Sequence, residues 1–191
     1  DPVPASLEVS PGAVEFDAVG DSARVSAVVR DAGGAEIVGA EVVWSSMDPT
    51  VATVSPSGWV VAVGAGAAGV VASVGELADT ATVTVTQSVA RIVVDPPAAA
   101  LHAIGDSVRL TAVAWDRNDH EIAGADVAWS STDPAVATVS ASGWVVARGN
   151  GTAGIVATSG EAADTSTIDV AQVPASLEVS PKPVKLGEGD T

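Results

Sequence analysis

The sequence predicts an all-β chain built as two tandem antiparallel β-sandwiches, and three observations carry that prediction. "VPASLEVSP" stands at residues 3–11 and again at 173–181, 170 positions on, and the related "SVARIVVDP" stands halfway between, at 88–96. An 85-residue period therefore runs through the chain. Trp44 pairs with Trp129, Asp48-Pro49 with Asp133-Pro134 and Gly58-Trp59 with Gly143-Trp144, and roughly half of all aligned positions are identical. A period of this size marks one folded module used repeatedly. The second observation is a two-residue alternation of apolar side chains. The third is a series of turn residues at short intervals, with no helical pattern between them.

Taken in order, the first strand is expected over 6–10. "SARVSAVVRD" (22–31) sets Ala23, Val25, Ala27 and Val29 on one face and Arg24, Ser26, Val28 and Arg30 on the other. Further strands are expected over 41–45, 51–55, 58–63 and 67–73. "DTATVTVT" (79–86) closes the module, with Ala81, Val83 and Val85 opposed to threonines. β-Branched residues in period two read as half-buried strands. Val19-Gly20-Asp21, Ala32-Gly33-Gly34, Asp48-Pro49 and Ser57-Gly58 supply the turns. About seven short strands without a helical spacer argue for a two-sheet sandwich, with a small closed barrel as the alternative. Trp44, and Trp129 likewise, fall on the buried phase and are the expected core fillers among small side chains.

The repeat divides the chain into a first module at 1–87, a second at 88–172 and the opening strands of a third, incomplete one at 173–191. A function belonging to an array follows, and the chain is expected to be a piece of a longer one. Composition narrows the classes further. The 47% apolar content excludes a disordered linker, and no apolar run approaches the roughly 20 residues a spanning helix needs. A net charge of −16, with eight Lys and Arg against 24 carboxylates, excludes a phosphate-tracking surface and so nucleic acid. It also disfavours anionic lipid. Zero cysteine removes disulfides, thiolate metal sites and cysteine nucleophiles together.

"VVWSSMDPTVATVSPSGWVVAVGAGAAGVVA" and its partner "VAWSSTDPAVATVSASGWVVARGNGTAGIVA" resemble the group 2 bacterial immunoglobulin-like (Big) domains. The shared pattern is a Trp-Ser-Ser-x-Asp-Pro corner, "VATV", a Gly-led strand, a Gly-x-Ala hairpin and a closing Thr/Val strand. The resemblance covers both complete modules and implies tandem immunoglobulin-like antiparallel β-sandwiches. It also implies a place in stalks, adhesins and other extracellular bacterial or phage structures, as in intimin- and invasin-like surface proteins. No catalysis is implied, and the expected location is the bacterial cell surface or the extracellular space.

"TVTVTQ" reaches "SVARIVV" with no Gly, Ser or Pro linker, and the second junction is stiffened by Pro174, which restricts Val173. Consecutive modules are therefore expected to form a stiff, extended rod, a stalk or filament building block. A search for chemistry finds His102 and His120, but Asp17 and Ala35 replace them in the other copy. No nucleophile–base ordering or phosphate loop accompanies them, so an enzyme is rejected. "DRNDHE" brings Asp116, Asn118, Asp119 and Glu121 into one turn, an oxygen-rich set that a calcium ion could use. The equivalent "DAGGAE" keeps only Asp31 and Glu36, and a solvated hairpin tip is the plainer account. "NGT" at 150–152 reads as a turn before it reads as a glycosylation sequon.

The outward faces are the more informative. Arg148 cannot readily point inward, which turns Trp144 and Val146 out with it. Arg109, Thr111, Val113 and Trp115 form the exposed phase of "VRLTAVAWD". In an immunoglobulin-like sandwich those two strands are neighbours in one sheet, so Trp115, Val113, Trp144 and Val146 are expected to form one apolar patch edged by arginine. The first module keeps Val28, Trp59, Val61 and Val63 but has Arg30 for Trp115. Valine at 61, 71, 146 and 156, where the family commonly has threonine, suggests a covered face. The partners expected are other modules of the same or identical chains, in a filament or bundled stalk. The alternatives are a carbohydrate or host protein bound by an adhesin, a phage or enzyme accessory role, and donation of strands by residues 173–191 to a neighbour.

Overall fold

The computed structural model describes residues 2–174 and 176, and none of them is helical. Nine strands form in each repeat. In the first they are β1 (Ser6–Ser10), β2 (Ala13–Phe16), β3 (Ser22–Arg24), β4 (Ser26–Arg30), β5 (Val43–Ser46), β6 (Ala52–Val54), β7 (Trp59–Ala62), β8 (Gly66–Val74) and β9 (Leu77–Val85). In the second they are β10 (Arg91–Asp95), β11 (Ala98–Leu101), β12 (Ser107–Arg109), β13 (Thr111–Trp115), β14 (Ala128–Ser131), β15 (Ala137–Val139), β16 (Trp144–Ala147), β17 (Gly151–Ser159) and β18 (Ala162–Val170). Every strand of the second set begins and ends 85 positions after its counterpart.

Three sheets recur in each set: β2-β9-β8-β5, β3-β7-β6 and β1-β4, then β11-β18-β17-β14, β12-β16-β15 and β10-β13. Antiparallel pairing predominates, as in the long hairpin that sets Gly66 opposite Val85 and Val74 opposite Leu77. The all-β, immunoglobulin-like sandwich class expected from the sequence is what forms. Two features differ from the seven-strand expectation. Ala13–Phe16 is a strand in its own right and runs parallel to β9, with Ala13 opposite Thr82 and Phe16 opposite Val85. "SARVSAVVRD" is also two strands, because the chain crosses between sheets at Val25. Before the crossing, Ser22–Arg24 pairs with β7, and after it Ser26–Arg30 pairs with β1.

The crossing explains the invariant "SGW". Val25 N–H donates to Gly58 C=O at 2.9 Å, and Leu110 N–H to Gly143 C=O at 2.9 Å. A Cβ on Gly58 would stand 2.3 Å from the Val25 carbonyl oxygen, and one on Gly143 2.3 Å from that of Leu110. Both glycines also have φ near +80°, a region open to glycine and strained for other residues. The Trp44 ring lies just beyond, with Cζ2 3.6 Å from that Cβ position, and Trp129 takes the same place over Gly143. The two tryptophans are half-buried lids on the core rather than its centre. The centre of the first core is small: Val25, Val60, Val70, Ala72, Ala81 and Val83 are nearly fully enclosed, with Phe16 the largest member.

The chain divides into two compact units. One holds Asp1–Val94, Ala112–Ala128 and Ala157–Asp164, and the other Asp95–Thr111, Trp129–Val156 and the chain from Thr165 on. The first unit thus takes in residues 112–128, which belong to the second repeat. Buried in the second unit are Leu101, Leu110, Val145, Ile155 and Ile168. No helix among the described residues is long and apolar enough to cross a membrane.

Candidate functional site: outer strands and the repeat junction

The outward face of β3-β7-β6 carries Trp59, Val61 and Val63, which are 49%, 37% and 43% exposed. Arg24 stands opposite Trp59, and Ser22 and Thr53 flank Val61. The equivalent face of β12-β16-β15 sets Arg109 opposite Trp144, which is 47% exposed, with Ser107 and Thr138 beside a half-buried Val146. Arg148 donates through Nε to Thr138 Oγ1 at 3.1 Å. Each face is therefore an exposed indole next to an arginine, on a chain that is otherwise strongly acidic.

Val113 and Trp115 are not on that face. Only Ser107–Arg109 pairs with the Trp144 strand, whereas Val113 and Trp115 sit on β13, paired with β10. The crossing at Leu110, 1% exposed, divides the run that looked continuous in sequence. Both residues are half-buried, and Trp115 is covered by the Arg91 guanidinium 4.7 Å above its ring. Such a contact contributes about 0.5–1 kcal/mol at exposed sites. Arg91 also donates through Nε and Nη2 to Asp119 Oδ1 at 3.2 and 2.9 Å.

In the oxygen-rich turn at 116–121 the carboxylates of Asp116 and Asp119 accept from protein donors. Asp116, 1% exposed, accepts through Oδ1 from its own loop, at Asn118 N and His120 N. Its Oδ2 accepts from Val19 N at 2.9 Å and Gln87 Nε2 at 3.1 Å, both in the first repeat. Burial pushes its carboxyl up, but these N–H groups outweigh it and hold the pKa at about 2. Asn118 Nδ2 donates to Val19 O at 2.8 Å and Asp21 Oδ1 at 2.9 Å. Asp119 pairs with Arg91, and the Glu121 backbone bridges to Trp115. Among the described residues no group of three or more His, Asp or Glu side chains is placed to hold a metal ion.

Arg117 completes the junction. Its Nη1 pairs with Asp17 and its Nη2 with Asp21, at 2.5 Å for the latter. The hydrogen bond to Asp21 is the main reason its guanidinium is held above the usual range. At Asp21 burial acts to raise the carboxyl, yet Asn118 and Arg117 bring it below the ordinary value. The connecting chain is pinned as well. Thr86 N donates to Phe16 O, Ser88 N to Asp17 O and Ala90 N to Trp115 O, each at 2.8–2.9 Å. Alternate residues of the linker are thus bonded first to one repeat and then to the other.

Sequence reasoning found the 116–121 turn but gave Arg117 no role, and it read Val19 and Asp21 only as turn residues and Asp17 only as the counterpart of His102. A signal was present. Within a frame that is about half identical, Ala32-Gly33 becomes Arg117-Asn118. The histidines are loop residues: His102 is exposed, and His120 Nδ1 lies 3.6 Å from Asp116 Oδ1. Asn150 Oδ1 accepts from Gln172 N, as a turn residue does. The strand-donation expectation for 173–191 lies almost wholly outside the described residues.

Fold and repeat together define a class: tandem immunoglobulin-like β-sandwich modules, with no helix among the described residues. Comparison with known proteins agrees. The family described as "Intimin, immunoglobulin-like domain" matches residues 123–161. That match bears out the resemblance to bacterial immunoglobulin-like surface modules, and with it an extracellular or cell-surface location and an interaction role. The matched family is of the adhesin type rather than an enzyme family.

"Ice-binding protein 1" of Shewanella frigidimarina (strain NCIMB 400) is 31% identical over 145 residues, 74% of this chain and 16% of that protein. The chain thus spans about a sixth of the relative it matches. Similar solved structures include the surface layer protein SbsC, domains 1–6 (23% identity, TM-score 0.43, 91% of this chain and 29% of that one). The Yersinia pseudotuberculosis adhesin InvE is another (18%, TM-score 0.41, 86% and 58%). The Escherichia coli adhesin FdeC is a third (18%, TM-score 0.44, 87% and 63%).

Proposed function

We propose that this chain is a non-catalytic spacer from a longer extracellular bacterial protein, a stiff stalk or filament segment whose repeats hold a set orientation. The observation that carries the reading is the junction. A flexible tether needs several unbonded Gly or Ser residues, whereas Thr86, Ser88 and Ala90 each donate a backbone hydrogen bond and Arg117, Asn118 and Asp116 bridge the repeats beside them. Small-angle scattering on the two-repeat chain tests this: a single narrow distribution of inter-repeat angles is expected, and a broad one refutes it.

A second reading is favoured by the two exposed indoles. Trp59 and Trp144 each stand beside an arginine, a pairing suited to contact with an acidic partner chain or to stacking on a sugar ring. Lateral assembly of identical chains and adhesin-type recognition both fit. Trp59→Ser with Trp144→Ser separates them: loss of self-association with glycan binding intact favours assembly, and the reverse favours recognition.

A further inference from the structure

We infer that residues 17–21 of the first repeat are a recognition surface for one kind of neighbour, a repeat whose loop bears arginine and asparagine directly after its turn aspartate. The order of repeats is thereby written into the loops. This inference rests on the spacer reading and adds to it which repeat can follow which.

The surface presents two carboxylates, Asp17 and Asp21, and both polar groups of the Val19 backbone. Each is answered from residues 116–118. Arg117 meets the two carboxylates, Asn118 Nδ2 meets the Val19 carbonyl, and Asp116 Oδ2 accepts the Val19 N–H. Complementarity therefore runs in both senses at one residue, with donor and acceptor each finding its opposite. Guanidinium suits the task because its planar fork reaches two carboxylates at once, which an ammonium point charge does not do. Gly20, whose φ of +85° favours glycine, lies against the loop: a Cβ there would be in ordinary contact with His120 Cε1 at 3.4 Å and Asn118 Nδ2 at 3.7 Å. On a chain of net charge −16, a neighbour without a cation at this place would leave Asp17 and Asp21 facing further acidity.

The other loop and the other end are built differently. Asp31 makes the same turn as Asp116, accepting Gly33 N and Ala35 N on Oδ1, but Ala32 and Gly33 stand where Arg117 and Asn118 would be. That loop folds identically and brings neither cation nor amide. At the far end of the second repeat His102, Ile104 and Asp106 replace Asp17, Val19 and Asp21. Asp106 Oδ2 is turned onto the His102 and Ala103 N–H groups, at 2.9 and 2.8 Å. An Arg-Asn loop brought there meets an imidazole in place of the first carboxylate. The two ends are not interchangeable, so the fit is directional.

The test grafts the first repeat's loop onto the second in the full chain: Arg117→Ala, Asn118→Gly, Asp119→Gly and His120→Ala. The graft keeps Asp116 and its turn, and the first repeat demonstrates that such a loop is compatible with this fold. Hydrogen exchange at the Val19 amide and the inter-repeat angle distribution by scattering are read together. Exchange at Val19 is expected to quicken about tenfold, the scale of losing charge-assisted hydrogen bonds, with protection at Val83 unchanged and the angles broadened. Arg117→Glu is a second variant that leaves the loop backbone alone and sets a third carboxylate against Asp17 and Asp21; it is expected to open the junction further than the graft. Unchanged Val19 exchange and a narrow distribution in both variants would overturn the recognition surface while leaving the spacer reading intact. A broad distribution in the parent overturns the spacer reading, and the Val19 comparison still decides the recognition surface.

Discussion

The two repeats share a frame and differ in what hangs on it. Their strands coincide at a fixed offset and both close over "SGW", yet their interiors are filled by different means. The first uses Phe16, Val25, Val70 and Val83 where the second has Leu101, Leu110, Ile155 and Ile168. Loss of an aromatic ring at one position is met by added methylenes at three others, the volume-conserving change that cores tolerate best. The loops carry no such constraint. Residues 31–36 bond to themselves, whereas 116–121 bond to a repeat whose sequence ends thirty positions earlier. Backbone crossings and total core volume are thus held constant, and the surface turns are free to acquire separate tasks.

That comparison can be broken most severely at the crossings. Gly58→Ala and Gly143→Ala are each expected to destabilise their own repeat by about 3 kcal/mol or more, from a carbonyl overlap together with a positive φ. Urea unfolding followed by tryptophan fluorescence reads it. Tolerance of either change would mean that the two frames are not equivalent.

A smaller effect sharpens the comparison of interiors. Ser166, fully enclosed, donates to Pro96 O at 2.8 Å where the first repeat has Ala81. Ser166→Ala should cost about 1 kcal/mol, by leaving a carbonyl without its donor. Ala81→Ser, which offers the same hydroxyl to the first repeat, should fall within about 1 kcal/mol of neutral. Thermal unfolding of both variants checks the pair.

Acid acts on one loop selectively. The Asp116 carboxyl is held at about 2 against an ordinary 3.8, so its contribution is complete above pH 3.8 and disappears as pH falls through about 2. Around it stand His120, the Arg117–Asp17–Asp21 cluster and the Arg91–Asp119 pair. Val19 amide protection, corrected for intrinsic exchange, is therefore expected to persist at pH 4 and vanish near pH 2, with Asp116→Asn removing the transition.

Least of all is expected from the exposed indoles. Trp59→Ser and Trp144→Ser should each change stability by under about 1 kcal/mol, since the rings are half in water. Calorimetry that found a large loss would mark them as structural rather than as contact surfaces.

Most of the frame was legible because alternation is local. Ala81, Val83 and Val85 face inward and Thr82 and Thr86 outward, as the sequence implies. Ala13–Phe16 escaped because four residues after Pro-Gly make too short a pattern, and its parallel partner lies some seventy positions away. The crossings at Val25 and Leu110 leave the alternation unbroken, so each run reads as a single strand, and that reading sets Trp115 beside Trp144. The 116–121 turn was recognised as rich in oxygen, but a list of oxygens does not reveal which N–H groups reach them. Val19 is 97 positions from Asp116, a separation on which local pattern is silent.

The parallel ladder between β2 and β9 has a mechanical meaning. One of these strands stands near the entrance of the repeat and the other leads out of it, so tension on the ends slides them past each other lengthwise. All the bonds from Ala13–Thr82 to Phe16–Val85 then carry load at the same time instead of opening one by one from an edge. Thr86 and Ser88 extend that ladder into the connecting segment. Under tension along the chain, this ladder therefore resists as a lap joint does, in shear.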